Sequence, residues 1–263
     1  MLRRIARKLS SQWITRVPER PHRLERFSPI ASFTFDDFPR TAWTVGGRIL
    51  EDAGFRGTYY VSAAFSPPKM RDQVPFGIIE GTDYYEMEDL VQLHERGHEL
   101  GSHSFEHLRL PSQAKADIES SIADNARFIR DAIGEQLPLH SFAYPQGAVS
   151  VRTRRIVSMH YSSCRGTSPG INSGRIDLAC LRALCIDNQY EPRRSLQPMI
   201  EEAKRSNGWL IFCMHDIARK PSRWGCTPAM FEEIVRQVRV AGLEVATIED
   251  IVPRRHTPAR IGA

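Results

Sequence analysis

The chain has 263 residues, 41% of them hydrophobic and 25% charged, which suits one large globular domain or two small ones. Its net charge of +5 is concentrated at one end. Residues 1–30 hold Arg3, Arg4, Arg7, Lys8, Arg16, Arg20, Arg23 and Arg26 against Glu19 and Glu25, a net +6, so residues 31–263 sum to −1. The body therefore lacks the basic excess of a nucleic-acid-binding protein, and no stretch has the apolar length of a signal peptide or a membrane-spanning helix.

Within the basic arm, Leu2, Ile5, Leu9 and Trp13 fall on one helical face with Arg3, Arg4, Arg7 and Lys8 elsewhere, a pattern suited to an anionic membrane surface. A solvated arm, or one resting on the domain, is the simpler expectation. Next comes Ile30-Ala31-Ser32-Phe33-Thr34-Phe35-Asp36-Asp37-Phe38-Pro39, an apolar, β-rich run that reads as a buried strand ending on two adjacent carboxylates. Adjacent strand residues face opposite sides. One Asp can thus hold a metal while its neighbour takes a proton, although Asp-Asp-Pro is also ordinary turn chemistry.

Residues 41–53 read as a helix closed by Gly54, and Gly57–Val61 as the next strand. Residues 64–83, with Pro67, Pro68, Pro75, Gly77 and Gly81, form a long loop of the kind that is often functional. A helix over about 86–96 stops at Gly97 and leads into a short strand, 98–102. Residues 112–133 make the longest helix, its Ile118, Ile122, Ala126, Ile129 and Ile133 stripe being core. Strands are expected near 139–144, 160–164, 180–186, 209–214 and 243–246, with Thr227-Pro228 opening a helix and Thr247 to Asp250 forming a capping box. Seven or eight strands alternating with helices predict a parallel sheet closed as a barrel.

Chemistry collects just after the strands. His103 and His107, four apart like residues on one side of a helical turn, can reach one ion. His94 and His98 share that spacing, but Gly97 separates a helix from a strand there, and they receive no role. Tyr144-Pro145-Gln146 follows one strand and His215-Asp216 another. These three sets and Asp36-Asp37 all lie at C-terminal strand ends, where an α/β barrel assembles its active site. The five cysteines, Cys164, Cys180, Cys185, Cys213 and Cys226, match no zinc-knuckle spacing and read as reduced thiols of a cytosolic protein.

Over residues 30–252 these motifs resemble the NodB-homology polysaccharide deacetylases, carbohydrate esterase family 4. Thr34-Phe35-Asp36-Asp37 is similar to the family's first motif, His103-Ser104-Phe105-Glu106-His107 to the second, and Cys213-Met214-His215 to the last. The resemblance implies a distorted (β/α) barrel of about seven parallel strands, flanked by a basic arm (1–29) and a basic tail (253–263). It implies Asp36 as catalytic base, His215 as general acid, and Asp37, His103 and His107 as ligands of Zn²⁺ or another divalent transition metal. Tyr144, Pro145 and Gln146 would contact substrate, with a backbone N–H near Gln146 receiving the oxyanion.

Three departures stand out. Phe38-Pro39 replaces the usual glycine, so the loop is expected to avoid glycine's left-handed conformations. Ala143 stands where the third motif carries an arginine that steadies the catalytic Asp, in the Phe-Ala-Tyr-Pro form of a branch that includes exopolysaccharide deacetylases. The fourth motif's Asp-Trp pairing is missing, and Arg182 and Asp187 are the nearest charged candidates to compensate. The implied activity is hydrolysis of N-acetyl groups on an amino-sugar-containing saccharide, with a cytoplasmic location, in solution or against the inner face of the membrane. An O-acetyl ester hydrolase and a non-catalytic sugar-binding protein are the alternatives.

Overall fold

A computed structural model describes residues 17–25, 28–66, 82–134 and 137–252. The Leu2 to Trp13 stripe, most of the 64–83 loop and the 253–263 tail lie outside the described residues.

The centre is β2 (Ile30–Phe35), every residue of which is buried. It pairs in parallel along its whole length with β9 (Trp209–Met214) and, on its other side, with β3 (Thr58–Val61) and β10 (Glu244–Val245). From β3 the parallel sheet continues through β4 (Glu99–Ser102) and β5 (Ser141–Ala143) to β6 (Ser163–Arg165). On the far side of β9 lies the short β8 (Leu184–Cys185). The segment leading into β8 also bonds to β6: Leu181 N–H donates to the Cys164 carbonyl at 2.8 Å and Gly166 N–H to the Leu181 carbonyl at 2.9 Å. Those bonds bring the two ends of the sheet together, so it curls into the expected distorted barrel.

Alternation along the strands decides which side chains enter the barrel. Ala31, Phe33 and Phe35 of β2 and Leu210, Phe212 and Met214 of β9 join one core cluster with Phe231, Ile234 and Val238 of the helix Pro228–Val240. Ile30, Trp209, Ile211 and Cys213 belong to the opposite face. Polar residues on that face are satisfied: Trp209 Nε1–H donates to Ser32 Oγ at 2.9 Å, Ser32 Oγ–H to the Ala246 carbonyl at 2.6 Å, and Thr34 Oγ1–H to the Phe212 carbonyl at 2.7 Å. On β4, Gly101 meets a need for close approach: a Cβ there would sit 2.5 Å from the Tyr60 ring.

The helices occur largely where hydrophobic spacing places them: a π-helical turn Ala42–Gly47 runs into α1 (Arg48–Asp52), then α2 (Met87–Glu95) and α3 (Lys115–Ile133). Two more, α4 (Val151–Val157) and α5 (Pro192–Ser206), precede α6 (Pro228–Val240) and α7 (Ile248–Ile251). Asn125 of α3 is the pin behind the barrel rim: its side chain accepts from Ala63 N–H at 3.0 Å and donates to the Val61 carbonyl at 2.8 Å and Ser102 Oγ at 2.9 Å.

The arm's inner end is part of the domain. β1 (Pro21–Arg23) pairs antiparallel with β7 (Arg175–Asp177), Arg20 donates to the Tyr161 carbonyl at 2.6 Å, and the buried Arg154 bridges Asp177 at 2.7 Å and the Val17 carbonyl at 3.0 Å. None of the described helices is long and apolar enough to cross a membrane.

Candidate active site

Asp36 continues the ladder by one residue, its N–H donating to the Met214 carbonyl at 2.8 Å. It therefore keeps the parity of Ile30, Ser32 and Thr34 and turns into the barrel, where it is buried with its neighbour Asp37. The chain then breaks sharply. Asp37 (φ 61°) and Phe38 (φ 53°) are both left-handed, and Phe38 N–H closes back on the Asp36 carbonyl at 2.6 Å.

The expectation for Phe38 is thus corrected: it adopts the glycine-like conformation despite its side chain. Burial of the ring, stacked on Tyr85 at 5.1 Å and packed on Tyr59 at 5.2 Å, offsets a backbone cost of about 1–3 kcal/mol. Six described non-glycine residues have positive φ, and five of them, Asp37, Phe38, Ser104, His107 and Gln146, belong to the predicted motifs. Strain of this kind concentrates where function fixes a geometry.

His103 and His107 do converge, but not as neighbours on a helical turn. Residues 103–107 form a bend in which Ser104 and His107 are left-handed. Their Nε2 atoms lie 3.3 Å and 3.1 Å from Asp37 Oδ1. Candidate ligand atoms of the three residues all fall within 4.8 Å of one another, and all three side chains are buried. His103 Nδ1–H donates to the Ala143 carbonyl at 2.8 Å, which leaves the Nε2 lone pair facing the cluster. Asp37 Oδ1 is buried between the two rings, within ion-pair reach of both. A carboxylate oxygen and imidazole nitrogens gathered around one point have the donor set of a divalent metal site. Burial alone would raise the Asp37 carboxyl, but His107 and His103 outweigh it and hold it well below the usual carboxylate range.

Asp36 has a partner that inspection of its own motif misses. The arginine absent at Ala143 is supplied by Arg165, the register partner of Ala143 on the adjacent strand β6. The Arg165 guanidinium is fully buried, bonds Asp36 Oδ1 and the Gly166 carbonyl (3.0 Å), and lies over the Tyr60 ring at 5.0 Å. Desolvation pushes the Asp36 carboxyl up, yet Arg165, then His103 and His215, bring the net shift below the ordinary value. On its other oxygen, Cys213 Sγ–H donates to Asp36 Oδ2 at 3.5 Å. The ladder pairing Ala143 with Arg165 is the signal that could have exposed this substitution.

Arg182 and Asp187 do not fill the expected supporting role. Arg182 donates to the Pro169 carbonyl at 3.0 Å, and Asp187 accepts from the Gln189 N–H at 3.0 Å in a local turn. Tyr144 is also corrected: its ring is buried against Phe142, with the hydroxyl on the Ala179 carbonyl at 2.9 Å, so it supports the rim from within. Pro145 is buried and Gln146 exposed, so of the three only Gln146 offers its side chain to solvent. His94 lies in the last turn of α2 and His98 just before β4. His98 Nδ1 accepts from Gly57 N–H at 3.0 Å, and burial lowers its pKa to about 4.

His215 sits at the mouth. Its side chain is 21% exposed and Nε2 is 3.8 Å from Asp37 Oδ2. Asp216, which follows, is buried and anchors the next loop, accepting from Ser222 N–H at 2.8 Å and Oγ–H at 2.5 Å. Gly225 has to lack a side chain, since a Cβ would lie 2.3 Å from Asp216. This loop presents Trp224 beside the His215 ring, centroids 6.3 Å apart.

Comparison with known proteins accords with this geometry. Residues 26–161, just over half of the chain, match the family model described as polysaccharide deacetylase. Curated protein sequences yield no match. Among solved structures, the Xyl-CE4 domain of a multidomain xylanase from the hindgut metagenome of Trinervitermes trinervoides is 17% identical, with TM-score 0.56 over 85% of this chain and 89% of that one. A family 4 acetyl xylan esterase from Clostridium thermocellum, in complex with a cobalt ion, is 17% identical, with TM-score 0.55 over 84% and 89%. A CE4 family pseudoenzyme from Bacillus anthracis is 13% identical, with TM-score 0.56 over 89% and 69%. At these identities the structures share the fold, while the family model assigns the family. The chain belongs to the polysaccharide deacetylase family.

Proposed function

We propose that this protein is a metal-dependent hydrolase that removes N-acetyl groups from an amino-sugar-containing saccharide. One observation carries the reading: a base-and-arginine pair (Asp36, Arg165), a metal-type triad (Asp37, His103, His107) and a partly exposed histidine (His215) meet at one end of one barrel. Because a neighbour with this fold is a pseudoenzyme, the fold alone does not carry activity; the residues do. A binding protein has no use for a separate base and acid.

Asp37, His103 and His107 would hold Zn²⁺ or another divalent transition metal. When bound, such an ion acidifies water and polarises an acetyl carbonyl. Arg165 keeps the Asp36 carboxylate ionised and fixes its direction, so Asp36 takes the proton of the attacking water. We assign the backbone N–H near Gln146, by family analogy, as a donor to the developing oxyanion. His215, at the solvent-facing mouth, gives a proton to the departing amine, which is a poor leaving group as an anion.

O-acetyl ester hydrolysis is the second reading, favoured by the acetyl xylan esterase among the fold neighbours. The test is product analysis on paired N-acetylated and O-acetylated oligosaccharides, with lipid-linked sugars included. Acetate released together with a free amine supports the proposal. Acetate from esters alone transfers the assignment to the second reading, and no acetate from any substrate rejects both.

A further inference from the structure

β8 and β9 place two cysteines opposite each other. Cys185 and Cys213 are register partners in the parallel ladder. Register partners on neighbouring strands are about 4.8 Å apart, within the Cα separation of about 4.4–6.8 Å that a disulfide spans. The two thiols differ in access: Cys185 is exposed at the mouth and Cys213 is buried. They also differ in partner, because the Cys213 S–H donates to Oδ2 of Asp36, the oxygen that Arg165 does not hold. The remaining cysteines take no part in this contact.

We propose that Cys185 and Cys213 form a reversible redox site, in which oxidation to a disulfide withdraws the S–H donor from Asp36 and slows hydrolysis. Exposure makes the Cys185 sulfur the one that an oxidant in solution reaches first. With a peroxide as oxidant, Cys185 attacks one oxygen, the O–O bond breaks, and a sulfenic acid and one water result. Cys213 Sγ then attacks the Cys185 sulfur. The S–S bond forms, the S–O bond breaks, and the departing hydroxide leaves as a second water with the Cys213 proton. Two thiols lose two electrons and two protons, and the peroxide becomes two waters. A thiol reductant reverses the change by exchange.

The disulfide stands on strand register alone, whereas its effect on turnover rests on the role proposed for Asp36. The test treats the full-length protein with hydrogen peroxide and follows it by non-reducing intact mass, peptide mapping and acetate release. The expected result is loss of two hydrogens, a peptide linking Cys185 to Cys213, and a roughly five- to tenfold drop in kcat, the scale of one ordinary hydrogen bond from a weak donor. A thiol reductant should restore both mass and rate, and Cys185→Ser or Cys185→Ala should keep its rate under peroxide. Oxygen added at Cys185 without a crosslink would overturn the site. A crosslink with unchanged turnover, or equal peroxide sensitivity in the Cys185 variants, would overturn the switch. Should the reduced protein release no acetate from any substrate, the functional reading fails, while the crosslink map still decides the dithiol.

Discussion

Strand β4 joins two buried carboxylate clusters that differ in every respect except burial. At its start, Glu99 accepts from Thr58 Oγ1–H at 2.7 Å, from Glu249 N–H at 3.0 Å and from the Ser141 hydroxyl, all of them neutral donors. Burial, with Glu249 nearby, pushes its carboxyl up to about 7. Beyond its end, Asp36 and Asp37 face a guanidinium and three imidazoles, and both are shifted below the ordinary value. Burial has the same sign at both ends, so the neighbours decide the outcome. Hydroxyl and amide donors tie one carboxyl into the scaffold, while neighbouring cations keep the others charged.

The largest effects should come from changing the charged end. Asp36→Asn retains the shape and loses the base, so kcat should fall by roughly 10²–10⁴. His215→Ala should cost a similar factor on amides and much less on an activated ester, whose leaving group departs without protonation. Equal losses on both substrates would remove His215 as the leaving-group acid.

Arg165→Met tests the arginine's placement on β6. It leaves the Asp36 carboxylate buried without its main cation, and breaking such a pair costs about 3–5 kcal/mol of stability. Because Arg165 helps lower Asp36, the acid limb of the pH–rate profile should shift to higher pH, and kcat should fall roughly tenfold or more. An unmoved acid limb would make Arg165 structural only.

The smallest effect belongs to the neutral end. The folded Glu99 carboxyl, at about 7, lies above its unfolded value, so the folded state binds the extra proton between about pH 4.5 and 7. Stability should be greatest below that window and decline through it by roughly 3 kcal/mol. Glu99→Gln, neutral and of the same shape, should flatten that slope and leave kcat unchanged. Denaturant melts at several pH values would reveal it, and an unaltered slope would refute the assignment.

Much of this was legible in the sequence because the relevant signals are local. The apolar run into Asp36-Asp37, the Gly54 and Thr227-Pro228 helix ends and the His103/His107 spacing each have short-range causes. What could not be read depends on pairing across strands. Arg165 reaches Asp36 only because β6 lies beside β5, and Cys213 meets Cys185 only through the β8–β9 register. Phe38 shows the other limit, since tertiary packing of its ring overrides a backbone preference that favours glycine. Tyr144 looked like a cleft residue from its motif, but alternation turns its ring into the core.

The most direct test of the central claim is metal content measured alongside acetate release, in the purified protein and in Asp37→Ala, His103→Ala and their double mutant. About one divalent ion per chain is expected in the parent, as for a single mononuclear site. Metal and activity should fall together in each variant, whereas Asp36→Asn should keep its metal and lose only activity. Full metal occupancy in the double mutant, or undiminished acetate release without metal, would contradict the account.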